Sequence, residues 1–476
     1  MKFRIMQTKT QNISLGQKMI QTFENNHEII FKGDSSTIID RRKKALEEFK
    51  HLGFPNSKTE NWRNTNISKA LGANYQYYLE PTFQDHVNQD KIFKCDIPHL
   101  ETDMISQLNG WFISKNGSLK TDVHGVVVGS LAAAKKSHSH LIDQHYGKIA
   151  DDKKSGFVAL NNAFAQDGVF IYVPNNVQAS VPLQMVNIIN HDENIFVQNH
   201  NLVIIGDNSS LQLVQCDDSV DHQQSLINTV TEIYVGKNSS LDHYKLQNKN
   251  DNSTLINSIF INLERDAHLS TNAISLNGGL IRNENYVTLN GENCEANIMG
   301  VYLVDKAQHV DNQIFVDHAY PNCVSNELFK GIVDDSAHAV FNGHILVRRD
   351  AQHTIAFQSN KNILLTDKAT VNTKPFLEIY ADDVKCSHGA TIGQIDENAM
   401  FYLKSRGIGE HNAKMLLMYA FAAEVINHIK IEPLKIRIDD MVKKRLRGEL
   451  SICEQCVLHC STMEKEINFE IDMSRV

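Results

Sequence analysis

Positive charge is scarce in this 476-residue chain: 47 lysines and arginines face 56 aspartates and glutamates, for a net charge of −9. Nucleic-acid binding wants a basic face to meet phosphates, so that class of partner is disfavoured. The only dense basic runs, residues 41–44 and 443–447, sit beside helix-like patterns and read as solvated faces. Long apolar runs are lacking too. The most apolar stretch, residues 415–423, is half of what a bilayer span needs, so no membrane is expected. The opening MKFRIMQTKTQNIS has no apolar core of signal-peptide length. Its eight cysteines are therefore expected as reduced thiols in the cytoplasm. Nucleotide and hydrolase signatures are missing as well. Residues 129–136, GSLAAAKK, lack the second glycine of a phosphate-binding loop, and no HExxH, GxSxG or GxGxxG occurs in a strand–turn–helix setting. Any ATP chemistry would have to come from another chain. What remains is an ordinary globular composition, 42% hydrophobic and 22% charged, long enough for two or three domains.

Three textures follow one another. Residues 1–155 are mixed and mainly helical. Residues 41–49, RRKKALEEF, predict an amphipathic helix with Ala45, Leu46 and Phe49 on one side, stopped by Gly53 and Pro55. A second helix is expected over about 130–144, closed near Gly147. From 156 to 395, short Val-, Ile- and Leu-rich runs alternate with Asn, Asp, Ser and Gly. Two turns nearly repeat, IGDNSSL at 205–211 and VGKNSSL at 235–241, with Gly206 and Gly236 30 residues apart. Weaker echoes fall at 264–269, 291–294, 335–338 and 349–352. Such a pattern predicts a mainly β chain whose core is a parallel β-helix, a solenoid of stacked coils. Its turns collect Gly and Asn because those residues tolerate positive φ. A sandwich explains the recurring turn less well. From 396 to 476 the chain is helical again, with Asp396 as an N-cap and Arg406-Gly407 as a stop. The next helix, about 410–429, carries Met415, Leu416, Leu417, Met418, Tyr419, Phe421, Val425 and Ile426. Being apolar on nearly every side, it either packs onto the β-core or meets a partner, and the partner is favoured. A third helix is expected over about 438–450.

Chemistry concentrates in two places. Cys386 and His388 stand at i and i+2 of a strand-like run, so they face the same way and can address one atom together. Thiolate plus imidazole suits iron and zinc. Adjacent Lys385 is of the charge that favours a thiolate, although on a strand its side chain should face the opposite side; Asp382 and Asp383 add oxygen donors. The bland reading is a small buried cysteine and a locally bonded histidine. The second place is Cys453, Cys456, His459 and Cys460, which would close a tetrahedral metal site. A single short run rarely supplies four ligands, and there is no second CxxC to complete a ribbon. His138, His140 and His145 do not share one helix face and read as surface residues. Cys95, Cys216, Cys294 and Cys323 stand alone and read as core or surface thiols.

Three separated segments share one resemblance: FPNSKTENWRNT at 54–65, FVALNNAFAQDGVFIYVP at 157–174, and 358–408. In this order they resemble the SufB/SufD family of iron–sulfur cluster assembly proteins, and the last resembles its SufD branch. SufB members carry their assembly cysteine in an Asp-Lys-Cys turn, where this chain has Asp367-Lys368-Ala369. They also follow a late histidine with glutamate, where this chain has His388-Gly389. The resemblance implies a right-handed parallel β-helix flanked by N- and C-terminal helical domains. It also implies a non-catalytic scaffold subunit that pairs with a SufB-like paralogue at the end of the β-helix. The C-terminal helices would dock a SufC-like ATPase, with Phe401, Arg406, Leu416, Leu417 and Phe421 at that surface. His388, with Cys386 beside it, would serve cluster assembly at the interface, with transient iron or a cluster and no tightly bound cofactor. Nothing in the resemblance covers the terminal cysteine run. Two other readings stand beside it: a β-helix carbohydrate-active enzyme, and a metal-binding protein using those terminal cysteines. An unpaired solenoid end also invites a homodimer in the isolated chain.

Overall fold

A computed structural model of the protein describes residues 13–81, 100–114 and 118–448. Two ten-stranded sheets dominate it. From Val169 to Gly393, successive strands alternate between the sheets, and within each sheet neighbours run parallel. Leu211, Leu241, Leu269, Ala296, Ser325, Ala356 and Cys386 form one in-register column. The result is the expected β-solenoid, of about 8 turns.

The recurring turn has a direct physical cause. Asn208 and Asn238 hold φ of 55° and 53°, and their side-chain amides stack: Asn208 donates to Asn176 at 3.0 Å and Asn238 to Asn208 at 2.9 Å. A Cβ on Gly236 would lie 2.7 Å from both the Asp207 carboxylate and the Gly206 backbone, so the stacked turns need glycine there. The weaker echoes are turns of the same kind. Positive φ recurs at Asp266, Asn293, Asp335 and His353.

Inside the solenoid, aliphatic columns share the interior with a polar one. Lys245 pairs with Asp217 at 3.1 Å and donates to Asn257 at 2.7 Å, and Asn283 donates to Asn312 at 3.1 Å. Buried polar groups persist in such a core because they satisfy one another.

Helices flank both ends. Residues 41–49 lie within the helix Ser36–Leu52, which buries Ala45, Leu46 and Phe49 and ends at Gly53, φ 62°. In the basic run there Lys43 and Lys44 are exposed, as a solvated face requires, but Arg42 is not. Arg42 is 1% exposed, and it donates to Asp34 at 2.6 Å and to the carbonyls of Ala163 and Ala165 at 2.9 and 2.8 Å. The other basic run departs in the same way, since Arg445 is buried on the Leu276 carbonyl and Asp305. The helix expected over 130–144 is two, Leu131–Ser137 and Ser139–His145, broken where His138 leaves helical geometry. His138, His140 and His145 are exposed or half-buried.

At the C-terminal end Asp396 caps the helix Glu397–Ser405, accepting from the N–H groups of Asn398 and Ala399. The apolar helix Glu410–Ile426 packs on the solenoid. Met418, Ala422, Val425 and Ile426 share a cluster with Val214, Met299, Val301 and Ile332 of the outer sheet face, and with Ile438 and Met441 of the last helix. One side of the helix thus serves contacts within the chain, while Leu416 and Leu417 stay half-covered. That last helix, Glu432–Leu446, starts earlier than 438 because Pro433 occupies its first turn, where a fixed φ and a missing N–H cost nothing. No described helix is long and apolar enough to cross a membrane.

Candidate functional site

Cys386 and His388 lie on the strand Lys385–Gly393, the last of its sheet, which pairs on one side only with Ile355–Leu364. The register sets Cys386 opposite Ala356 and His388 opposite Gln358. Ala356 and Gln358 are buried, so their two partners share the inward face of the coil, as the i, i+2 spacing predicts. No further coil covers them. His388 is exposed, whereas Cys386 is half-buried against Ile345, Ala356 and Ala381. Burial pushes the Cys386 thiol up, against a smaller opposing effect of the Ala356 backbone. The thiol is therefore favoured in its protonated form, and it would serve as a metal ligand only by giving up that proton.

The neighbouring acids are disposed differently. Asp383 pairs with His353 of the preceding coil at 3.0 Å, and Asp382 is exposed. Among the described residues no three His, Cys, Asp or Glu side chains are grouped to hold a metal ion. One sulfur and one nitrogen on the uncovered inner face of the last coil make half of a ligand set. Ala369, in the turn where a SufB-type cysteine would stand, sends its methyl into the solenoid core. Cys453, Cys456, His459 and Cys460 lie outside the described residues, as does Cys95.

Directly beneath His388 the register places Gln358 and then Glu327, a column not anticipated from the sequence. Gln358 donates to Glu327 at 2.7 Å. Gly343 makes room for it, since a Cβ there would lie 2.2 Å from the Gln358 amide. Burial pushes the Glu327 carboxyl up to about 8. Such a group is favoured in its protonated form by the fold. The stability it allows is full in acid and is lost as pH rises from the ordinary carboxylate range toward 8. Glu327→Gln is therefore expected to gain on wild type between pH 5 and pH 8, by about 3–4 kcal/mol. Urea unfolding at both pH values measures it, and parallel behaviour of the two proteins would contradict it.

The five expected docking residues separate in space. Phe401 is 74% exposed on the helix Glu397–Ser405, and Arg406 stacks on the neighbouring exposed Tyr402 with its Cζ 4.9 Å from the ring centroid. Leu416 and Leu417 are half-covered. Phe421 turns to the solenoid, with the Lys330 ammonium 4.4 Å from its ring centroid. The last coils also expose Phe357, Ile379, Tyr380 and Ile392. Finally, Cys294 and Cys323, which stand alone in the sequence, are brought together by the coil period.

Two family models match the chain: "SufBD protein N-terminal region" over residues 13–185, and "SUF system FeS cluster assembly, SufBD core domain" over 187–421. An iron–sulfur cluster assembly SufBD family protein of Synechocystis is 28% identical over 87% of this chain and 92% of its own length. The iron–sulfur cluster assembly protein SufD of Escherichia coli is 28% identical over 88% of this chain and 96% of its own. SufB of Bacillus subtilis is 24% identical over 88% and 91%. With both models in chain order across the N-terminal helices, the solenoid and the last coil, the chain belongs to the SufBD family of iron–sulfur cluster assembly proteins.

Proposed function

We propose that this chain is a SufD-like, non-catalytic scaffold subunit. It pairs through its last coil with a SufB-like paralogue, docks a SufC-like ATPase by its C-terminal helices, and works in the cytoplasm. The observation that carries this reading is the incomplete site. A thiol and an imidazole face one way from a strand with a free edge, and no third described ligand completes them. Iron or a nascent cluster is the cargo; it is held transiently because two donors from one chain leave the remaining positions to the other. The SufD and SufB relatives support the pairing. Exposed Ile379, Tyr380 and Ile392 around the coil end supply apolar area for a subunit contact. The same free edge allows two copies to pair when the paralogue is absent.

Co-purification of the three subunits tests the arrangement. Phe401→Asp is expected to lower recovery of the ATPase at least tenfold while the paralogue is retained. Ile392→Asp with Tyr380→Asp is expected to do the reverse. Unchanged recovery of both partners in both variants would overturn it.

A further inference from the structure

Cys294 and Cys323 occupy equivalent places in neighbouring coils, each one residue before a strand. The strands pair from the next residue on, Glu295 opposite Val324, and the Val324 N–H donates to the Cys294 carbonyl at 2.9 Å. Both thiols are buried in the solenoid core, at 1% and 0% exposure. Both donate to one acceptor, the Gly291 carbonyl oxygen, each at 3.2 Å. Cys294 also reaches the Glu264 carbonyl at 3.0 Å, and the closeness of the two sulfurs pushes the Cys294 thiol up and the Cys323 thiol down. Other coils hold Ser209, Ser239, Ala267, Thr354 and Val384 at this place. Ser209 donates to the Pro174 carbonyl and Ser239 to the Gly206 carbonyl, each at 2.7 Å. Closing the turn therefore requires neither oxygen nor sulfur, and only here among the described residues do neighbouring coils of this sheet set two thiols side by side.

We propose that Cys294 and Cys323 form a buried two-thiolate site for a soft, low-coordinate cation of the copper(I) class, independent of the site on the last coil. In-register neighbours of a parallel ladder hold their Cβ atoms about 4.8 Å apart. A disulfide wants roughly 3.5–4.5 Å, so oxidation would pinch the ladder. Two metal–sulfur bonds of about 2.3 Å, end to end, span about 4.6 Å and leave it undisturbed. The donor set narrows the ion further. No third His, Cys, Asp or Glu among the described residues joins the pair, and structural zinc and iron–sulfur centres want four ligands. Thiolates alone select soft ions. On binding, two S–H bonds give up their protons to solvent as one monovalent cation enters, so the neutral dithiol becomes a complex with a single negative charge. No electron is exchanged. Asn293 and Asn322, each one residue before a thiol, are exposed, so the pair lies at the edge of the coil beside its surface turns.

The test uses the full chain carrying Cys453→Ser, Cys456→Ser and Cys460→Ser, so that the terminal thiols do not compete. Copper(I) is titrated anaerobically against a chromophoric chelator. One tight equivalent with thiolate-to-copper absorption is expected. Adding Cys294→Ser and Cys323→Ser, the residue other coils use at this place, is expected to weaken that equivalent at least a hundredfold with the circular dichroism unchanged. Retention of the equivalent would overturn the proposal. Should the double-serine protein misfold, X-ray absorption of the parent at one equivalent decides. Two sulfur neighbours support the site, and any other first shell overturns it.

Discussion

Replacing His388 by alanine is expected to leave the fold and the subunit contacts intact while cluster formation falls at least tenfold. The first half follows from position. His388 is exposed on a strand paired on one side only, and removing an exposed side chain from such a place changes stability by about 0.5 kcal/mol or less. The second half follows from what would remain. Without the imidazole the coil offers one sulfur, which burial keeps protonated, and an isolated thiol is a poor first ligand for iron at neutral pH. In the proposed arrangement the exposed imidazole would anchor the cargo while the half-buried thiol exchanges its proton. Cys386→Ser is accordingly the milder change. The measurement is cluster yield in a reconstitution of the purified complex, with co-purification as the control for assembly. Normal yield from an intact His388→Ala complex would remove this residue from the site.

How much of this was legible in the sequence depends on the range of the interaction. The recurring turn was readable because its causes are local: Gly236 avoids a clash, and Asn208 and Asn238 take positive φ within a few residues. Cys386 and His388 were readable for the same reason, since i and i+2 share a face whatever the strand pairs with. The columns across coils were not. Leu269 to Ala296 is 27 residues and Ser325 to Ala356 is 31, so no fixed period lines up Glu327 under Gln358 and His388, or Cys294 beside Cys323. The helix Glu410–Ile426 shows a different limit. Its composition said that every side is covered without saying by what, and the cover on Met418 and Val425 turned out to be the chain's own sheet. Charge was least legible. A run such as RRKK looks solvated on average, and a single buried member is invisible until its partners are known.

Arg42 is that member, and Arg42→Ala is expected to destabilise the N-terminal part of the protein by about 3–5 kcal/mol, the usual consequence of removing one partner from a buried ionic group. Its three contacts are spread in sequence: Asp34 lies 8 residues away, and the Ala163 and Ala165 carbonyls 121 and 123 residues away. The side chain therefore ties the helix Ser36–Leu52 to the end of Gly156–Phe164, which leads into the first solenoid strand. Truncation would leave two buried carbonyls without this donor and Asp34 with only Lys135, 3.1 Å away. Lys135 is a weak substitute. In the wild type burial first, and then the charge of Arg42, push its ammonium down to about 8; the substitution removes the second cause but leaves the burial, and one ammonium cannot also serve the Ala163 and Ala165 carbonyls. Arg42→Lys is expected to recover little, because a point ammonium does not reach a carboxylate and two carbonyls in the divergent directions of a guanidinium. Asp34→Asn should be no milder, since it leaves Arg42 and Lys135 as two buried cations with their shared anion removed. Chemical denaturation followed by the fluorescence of Trp62, which is buried in the same N-terminal cluster as Phe157, reports on this region. A loss below about 1 kcal/mol for Arg42→Ala would mean that the ionic group is hydrated like a surface pair. A loss in the expected range would make the entry to the solenoid, rather than its open end, the place where this scaffold is held together by charge.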